Sequence, residues 1–233
     1  MVIYMSEASK NHEHHHHDEN ESKTHAHTES HGHNHGHGHH GPDPFLNPSK
    51  FFMWRYAFRN YLRRRVYYKE LMKKLNLNGS EQVLDFGSGV GTLAKKIAPK
   101  VQKVSGKLVC VDVSPKLLEY TKNQLKKYSN VEFLLGEVFK QNLPEKSFDF
   151  IASTWVLHHL EREELEKTIN SFASLIKESG KIFIIEFPDG FEHAHRVHSL
   201  IPVADIVESF HSKGFSSKVL LRKEGGVLYE FTK

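Results

Sequence analysis

The chain has a single cysteine, Cys110, among its 233 residues. That excludes an internal disulfide framework and any cysteine-built zinc module, and a lone thiol points to a reducing, cytoplasmic setting. No apolar run approaches the ~18 residues needed to cross a bilayer. The opening MVIYMSEASK lacks the basic-then-apolar plan of a secretory signal. Apolar side chains are scarce in residues 1–44, which holds the hydrophobic fraction to 38%. Basic side chains are scarce there too. Two lysines (Lys10, Lys23) stand against seven acids, a net −5 with histidine neutral, whereas the remainder carries +9. Two physically different regions are joined in one chain, whose length leaves room for one ordinary domain plus appendages.

What residues 1–44 do hold is histidine, 13 of the 19 in the chain. Their low complexity offers no core to offset the entropy of ordering, so the sequence predicts a disordered tail. Neutral imidazole suits Zn²⁺, Ni²⁺ or Cu²⁺. The HxHxHxHxHH spacing lets His31, His33, His35, His37, His39 and His40 converge on one ion. Metal capture and an inert tail are both open readings. Protonation near pH 6 would reverse the sign of the tail's charge.

Residues 45–75 read as one or two aromatic-rich helices, with Trp54, Phe58, Tyr61, Leu62, Val66, Leu71 and Leu75 near helical spacing. Lys50 to Lys74 holds nine basic residues and one acid, Glu70. A helix covering the rest of the fold with a solvated basic face accounts for this. So does a surface for an anionic partner such as RNA, protein or phospholipid.

From Gln82 onward, short apolar runs alternate with amphipathic helices. QVLDF, KLVCVDV, VEFLL, FDFIAS and KIFIIEF read as strands. A helix is expected from Thr92 to Pro99. A second follows the Ser114-Pro115 cap, with Leu117, Thr121, Leu125 and Tyr128 inward. A third carries Leu165, Ile169, Phe172 and Ile176 and is closed by Gly180; a last carries Val203, Ile206, Val207 and Phe210 and stops at Gly214. KVLLRK and VLYEF form closing strands around Gly225-Gly226. The pattern is that of an α/β fold with a mostly parallel sheet covered on both faces and an antiparallel C-terminal hairpin.

Asp85-Phe86-Gly87-Ser88-Gly89-Val90-Gly91 lies between a strand and a helix, where open α/β sheets bind ligands. Its spacing is G-x-G-x-G, one residue short of the nicotinamide fingerprint. Asp112 ends the second strand, 21 residues after Gly91, where a carboxylate can accept from both hydroxyls of a ribose. Glu137, after the third strand, can accept from an adenine amino group, and the Val138 N–H can serve a ring nitrogen. Phe86, Val113 and Leu135 are apolar candidates to wall a base.

The order of VLDFGSGVG, VCVDVSP, LLGEVFKQNLPEKSFDFIASTWVLHHL and LKESGKIFIIEF resembles the motifs of class I S-adenosylmethionine-dependent methyltransferases. The closest likeness is to the methyltransferase type 11-like subgroup whose fourth strand reads FDxVxxxxxLHHL. The resemblance implies a Rossmann-like, doubly wound, seven-stranded sheet over residues 76–233. It also implies that Asp85, Gly87, Ser88 and Gly89 hold the methionine part of S-adenosyl-L-methionine, with Gly91 in the same cofactor-binding set. Asp112 would hold the ribose and Glu137 with Val138 the adenine, with Val113 also in the cofactor-binding set. Ser153, Thr154 and Trp155 would face the methionine end and the acceptor. The family usually has aspartate where Glu137 stands. His158 and His159, from the LHHL signature, are expected in a structural or rim role.

In-line methyl transfer needs alignment more than a covalent intermediate. An oxygen or nitrogen acceptor would need a base. Glu186, His193, His195 and His198 are candidates, and His195 with His198 would also suit a metal pair. The expected activity is methyl transfer to a small-molecule acceptor. The alternatives are an RNA or protein methyltransferase docking through residues 50–74, and a non-enzymatic metal buffer.

Overall fold

A computed structural model describes residues 49–190 and 200–233; side chains are described only in part over residues 50–63. Helix α1 (Lys50–Leu75) is one continuous helix. Strand β1 (Gln82–Phe86) follows, then α2 (Ala94–Val101), β2 (Lys107–Asp112), α3 (Pro115–Leu125), β3 (Val131–Leu135), β4 (Phe148–Thr154), α4 (Arg162–Leu175), β5 (Ile176–Glu186), α5 (Val203–Ser212), β6 (Ser216–Lys223) and β7 (Gly226–Thr232). The seven strands lie in the order β3-β2-β1-β4-β5-β7-β6. The first five are parallel; β7 runs antiparallel to β5 and to β6. This is the expected doubly wound, Rossmann-like sheet with its antiparallel terminal hairpin.

Side-chain alternation divides the core. Leu84, Val109, Ile151, Ile182 and Phe231 pack under α4 and α5, against Ile169, Phe172, Ile206 and Phe210. Val83, Leu108, Cys110, Ala152 and Phe183 face the other way, against Tyr67, Leu71 and Leu75 of α1, Ile97 of α2 and Leu118 of α3. A strand buried on both faces must be apolar at every position. Asp85, the fourth residue of β1, breaks that rule, and its neighbours across the sheet are Cys110 and Ala152.

Three local expectations need correction. Helix α2 starts later than Thr92 and passes through Pro99 to Val101. Proline removes only one intrahelical donor, and the fully buried Val101 holds the extra turn. Helix α4 ends at Leu175, so Ile176 is not on its inner face and Gly180 does not cap it. Ile176 instead pairs with Phe148 at the start of β5, and the β4–β5 ladder resumes at Phe150 and Lys181 across an irregularity. A Cβ at Gly180 would lie 2.8 Å from the Ile176 side chain, so the glycine makes room for that turn. In α1, Phe58 and Leu62 are exposed, while Met53, Tyr67 and Tyr68 join Leu71 and Leu75 in the buried set.

The sheet order reverses between β1 and β4, and the carboxyl ends of these strands meet there: Phe86 is level with Val111 of β2 and Ser153 of β4. Open α/β sheets bind their ligands at such a point. Among the described residues no helix is long and apolar enough to cross a membrane.

Candidate active site

Residues 87–91 leave β1 in a tight bend. Gly87, Gly89 and Gly91 all have positive φ (67°, 53° and 71°), a region that costs any residue with a Cβ. The bend is tied to β2 by its backbone. The Gly87 and Ser88 amides both donate to the Val111 carbonyl, at 2.8 and 3.2 Å. A Cβ on Gly91 would meet Thr121 of α3 at 2.7 Å, and the Thr121 hydroxyl donates to the Gly89 carbonyl at 2.7 Å. A Cβ on Gly89 would meet nothing closer than 3.9 Å, so this glycine borders open space.

Two carboxylates flank the bend. Asp112 Oδ2 accepts from the Gly89 amide at 2.7 Å and Oδ1 from the Ser114 amide at 2.8 Å. Burial raises its pKa, and those two amides pull the other way. The Ser114 hydroxyl caps α3 independently, accepting from Leu117 at 3.4 Å. Asp85 is 1% exposed, and neither of its oxygens has a well-formed hydrogen bond. Burial first, and the charge of Asp112 second, push its pKa up to about 7, with slight relief from the Ala94 amide. The same two acids and its own burial push the Cys110 thiol well above its usual range, so it is an inert core residue.

The hydroxyls of Ser88 and Ser153 are also buried without a hydrogen-bond partner. Unpartnered buried polar atoms are rare and costly. A carboxylate and two hydroxyls of this kind around one bend fit a ligand with a cationic amino group and hydroxyl acceptors. Val113 (52% exposed), just after β2, and Leu135 (54% exposed), the last residue of β3, are open apolar walls. Phe86 does not: it is buried in edge contact with Phe172, so it belongs to the core rather than to a base pocket. Gly136 turns the chain after β3, its amide bonded to the Asp112 carbonyl at 2.9 Å. The Glu137 carboxylate pairs with Lys140 at 2.9 Å, which holds its pKa down, and the buried Val138 opens a 3-10 turn. Thr154, half-buried, ends β4.

Trp155 follows with φ +56°. Its ring packs against the edges of Tyr67 and Tyr68, with centroids at 5.5 and 5.9 Å, and the Arg64 guanidinium lies 3.9 Å over its face. Glu186, 1% exposed at the end of β5, accepts from the Val156 amide at 3.1 Å and the Leu157 amide at 2.8 Å, and bonds His158 Nδ1 with its other oxygen. His159 is exposed beside His158, with ring centroids 4.0 Å apart. His193, His195 and His198 lie outside the described residues, as do His31, His33, His35, His37, His39 and His40. Among the described residues no cluster of three metal-ligating side chains occurs.

The fold thus brings Asp85, the glycine bend, Asp112, Val113, Glu137, Val138, Ser153 and Thr154 to one edge of the sheet. Sequence reasoning did not find the Arg64–Trp155 contact, the Thr121–Gly89 bond or the Glu186–His158 link. The first and last connect elements far apart in the chain, and only the presence of the residues was readable.

A parallel sheet with this strand order and this acid-flanked glycine bend defines a Rossmann-like methyltransferase architecture. Residues 83–180 match a family profile described as a methyltransferase domain. Residues 83–180 thus carry a methyltransferase domain, and the chain is similar to class I S-adenosylmethionine-dependent methyltransferases. It is similar to an uncharacterized methyltransferase of Anoxybacillus flavithermus, 30% identical over 115 residues, covering 49% of this chain and 51% of the relative. It is also similar to phosphoethanolamine N-methyltransferase 3 of Arabidopsis thaliana, 32% identical over 106 residues, covering 45% and 21%. A third is demethylmenaquinone methyltransferase of Tropheryma whipplei, 28% identical over 117 residues, covering 49% and 45%. The matches therefore span about half of these relatives or less. Among solved structures, a SAM-dependent methyltransferase from Aquifex aeolicus aligns with TM-score 0.60 and 22% identity, over 71% of this chain and 89% of that one. The cyclase SpnF also aligns, with TM-score 0.54 and 17% identity over 66% and 59%, so the fold alone does not fix a reaction.

Proposed function

We propose that this chain transfers the methyl group of S-adenosyl-L-methionine to a small-molecule acceptor. The observation that carries this reading is Asp85, a buried carboxylate without a well-formed hydrogen bond beside the glycine bend. Asp85, Gly87, Ser88, Gly89 and Gly91 hold the amino-acid part of the nucleoside. Asp112 and Val113 take the ribose, Glu137 and Val138 the adenine, and Ser153 and Thr154 border the methionine end. Glu137 would exchange Lys140, on an exposed rim, for the base amino group.

When bound, the nucleoside supplies a methyl group on a positively charged sulfur, open to in-line displacement. The chain's own contribution is alignment and exclusion of water, effects that together reach ~7–11 kcal/mol. Glu186 is engaged by His158 and two backbone amides. It acts as a positioning residue for the loop after β4, not as a base. The names of the Arabidopsis and Tropheryma relatives, both small-molecule methyltransferases, support the acceptor class.

A second reading has its own support: α1 exposes Arg55, Arg65, Lys69, Lys73 and Lys74, a surface on which RNA, an acidic protein or an anionic membrane could dock. Calorimetry with S-adenosylhomocysteine, followed by label transfer from radioactive S-adenosylmethionine into fractionated cell extract, tests both. Label in the low-mass fraction supports the first reading. Label in RNA or protein, with steeply salt-dependent retention, supports the second. A chain that ignores the nucleoside while binding a dinucleotide overturns both.

A further inference from the structure

Most of the described basic residues in the C-terminal half of α1 face solvent: Arg65, Lys69, Lys73 and Lys74 are exposed, and Lys74 has Glu70 at 3.9 Å. Arg64 is different. It is half-buried, its guanidinium carbon lies 3.9 Å from the centre of the Trp155 ring and 5.5 Å from that of Phe187, and it makes no ion pair with any described acid. Neither Glu186 nor Glu224 pairs with it. Glu186 is taken up by His158 and two amides, and Glu224 acts on Tyr67 without pairing with Arg64. A guanidinium whose carbon sits over an aromatic face still carries its N–H donors in its own plane. A carboxylate or phosphate can accept from them in pairs.

The position matters as much as the charge. Trp155 directly follows Thr154 at the end of β4, and its amide is fixed to the Ile185 carbonyl at 2.7 Å. The next residue, Val156, packs its methyl groups onto Gly87 of the bend. Arg64 is therefore linked to the glycine bend through Trp155 and its neighbour Val156, beyond the carboxyl end of β4. Trp155 is held at φ +56°, a backbone state that persists only where the surroundings over-determine it. Tyr67 and Tyr68 provide that constraint, and the Tyr67 hydroxyl is tied to the Gly226 carbonyl at 3.2 Å. The buried indole N–H of Trp155 has no acceptor.

We propose that Arg64, held over Trp155 and close to Phe187, is the anion-recognising residue of the acceptor site, and that the acceptor carries a carboxylate or phosphate on a flat apolar body. This rests on the methyltransferase reading above. The test is titration of the full chain, in a Trp54→Phe background so that Trp155 alone reports, with benzoate, phenyl phosphate and benzamide, with and without S-adenosylhomocysteine. One of the anions should quench the indole and bind about tenfold more tightly than neutral benzamide, as a charge-assisted bond implies. Which anion binds better distinguishes carboxylate from phosphate. Arg64→Gln should bring anion and amide to parity, and Arg64→Lys should keep part of the preference. Both variants should retain wild-type circular dichroism and S-adenosylhomocysteine affinity. Equal binding of benzamide and the anions, no binding of any probe, or a preference that survives Arg64→Gln overturns the inference. Failure of the nucleoside to bind the wild-type chain overturns the methyltransferase reading instead, and the nucleoside-free titration still judges Arg64.

Discussion

Asp112 Oδ2 accepts the Gly89 amide proton at 2.7 Å, so the acid that ends β2 and the glycine bend that leaves β1 form one rigid unit. The same carboxylate braces the start of α3 through Ser114. Each oxygen keeps acceptor capacity beyond its one amide, which lets Asp112 shape the bend and still meet a ribose. Asp112→Ala removes both functions. Asp112→Asn is not conservative, because its NH₂ must face one of two amide donors. Either change should weaken S-adenosylhomocysteine binding by ~1.5–3 kcal/mol, read by calorimetry. Unchanged affinity would put the sugar elsewhere.

Asp85 makes stability depend on pH. Its pKa in the fold, about 7, is raised from 3.8, so the folded chain binds this proton more tightly than the unfolded one. Below the unfolded value the group costs nothing. As pH rises toward 7, folded chains must deprotonate a buried acid or hold its proton unfavourably, and stability falls. Asp85→Asn should therefore gain on the wild type by about 2–4 kcal/mol between roughly pH 4 and pH 8. Denaturant unfolding at both pH values measures it, and the difference cancels any fixed cost of the amide. Asp112, also raised by burial, leaves a residual slope of the same sign. A pH-independent gap between the two proteins would mean that Asp85 is solvated.

How much of this was readable in advance follows from the range of each interaction. The strands and the bend are local patterns: QVLDF running into Gly87 needs no distant partner to be recognised. Ile176 was misplaced because its apolar character fits a helix face and a strand equally, and only its pairing with Phe148 decides. Phe86 was ambiguous in the same way until Phe172 settled it. The acids Asp85 and Asp112 stood out because charge inside an apolar run is unusual. Arg64 did not, since nine basic residues in one helix give no sign that one of them turns onto a tryptophan.

Glu186 supports the loop after β4 by accepting from Val156, Leu157 and His158. Removing it leaves buried donors without partners. Glu186→Ala should cost about 3–5 kcal/mol of folding free energy, since each buried donor left unpaired costs about 1–3 kcal/mol. Glu186→Gln keeps one accepting oxygen and should cost less. Urea unfolding separates the two. Equal stability of Glu186→Ala and the wild type would show that water replaces the carboxylate, and that the loop does not depend on it.

The bend and that loop also meet directly. A Cβ on Gly87 would fall 2.4 and 2.7 Å from the two methyl carbons of Val156, and φ at Gly87 is +67°. Gly87→Ala therefore combines backbone strain with overpacking, together about 2–5 kcal/mol. Val156→Ala removes the methyl groups and leaves only the Val156 Cβ, 3.1 Å from the new carbon. The double variant should lose less than the sum of the single ones, with a coupling of roughly 1–3 kcal/mol. The backbone component should persist, because no change at Val156 alters φ at Gly87. Urea unfolding of the four proteins yields the coupling. S-adenosylhomocysteine affinity measured on the same set tells whether relieving the clash also restores the bend. Strict additivity would mean that Val156 yields freely, and that glycine is required at this position for its conformation alone.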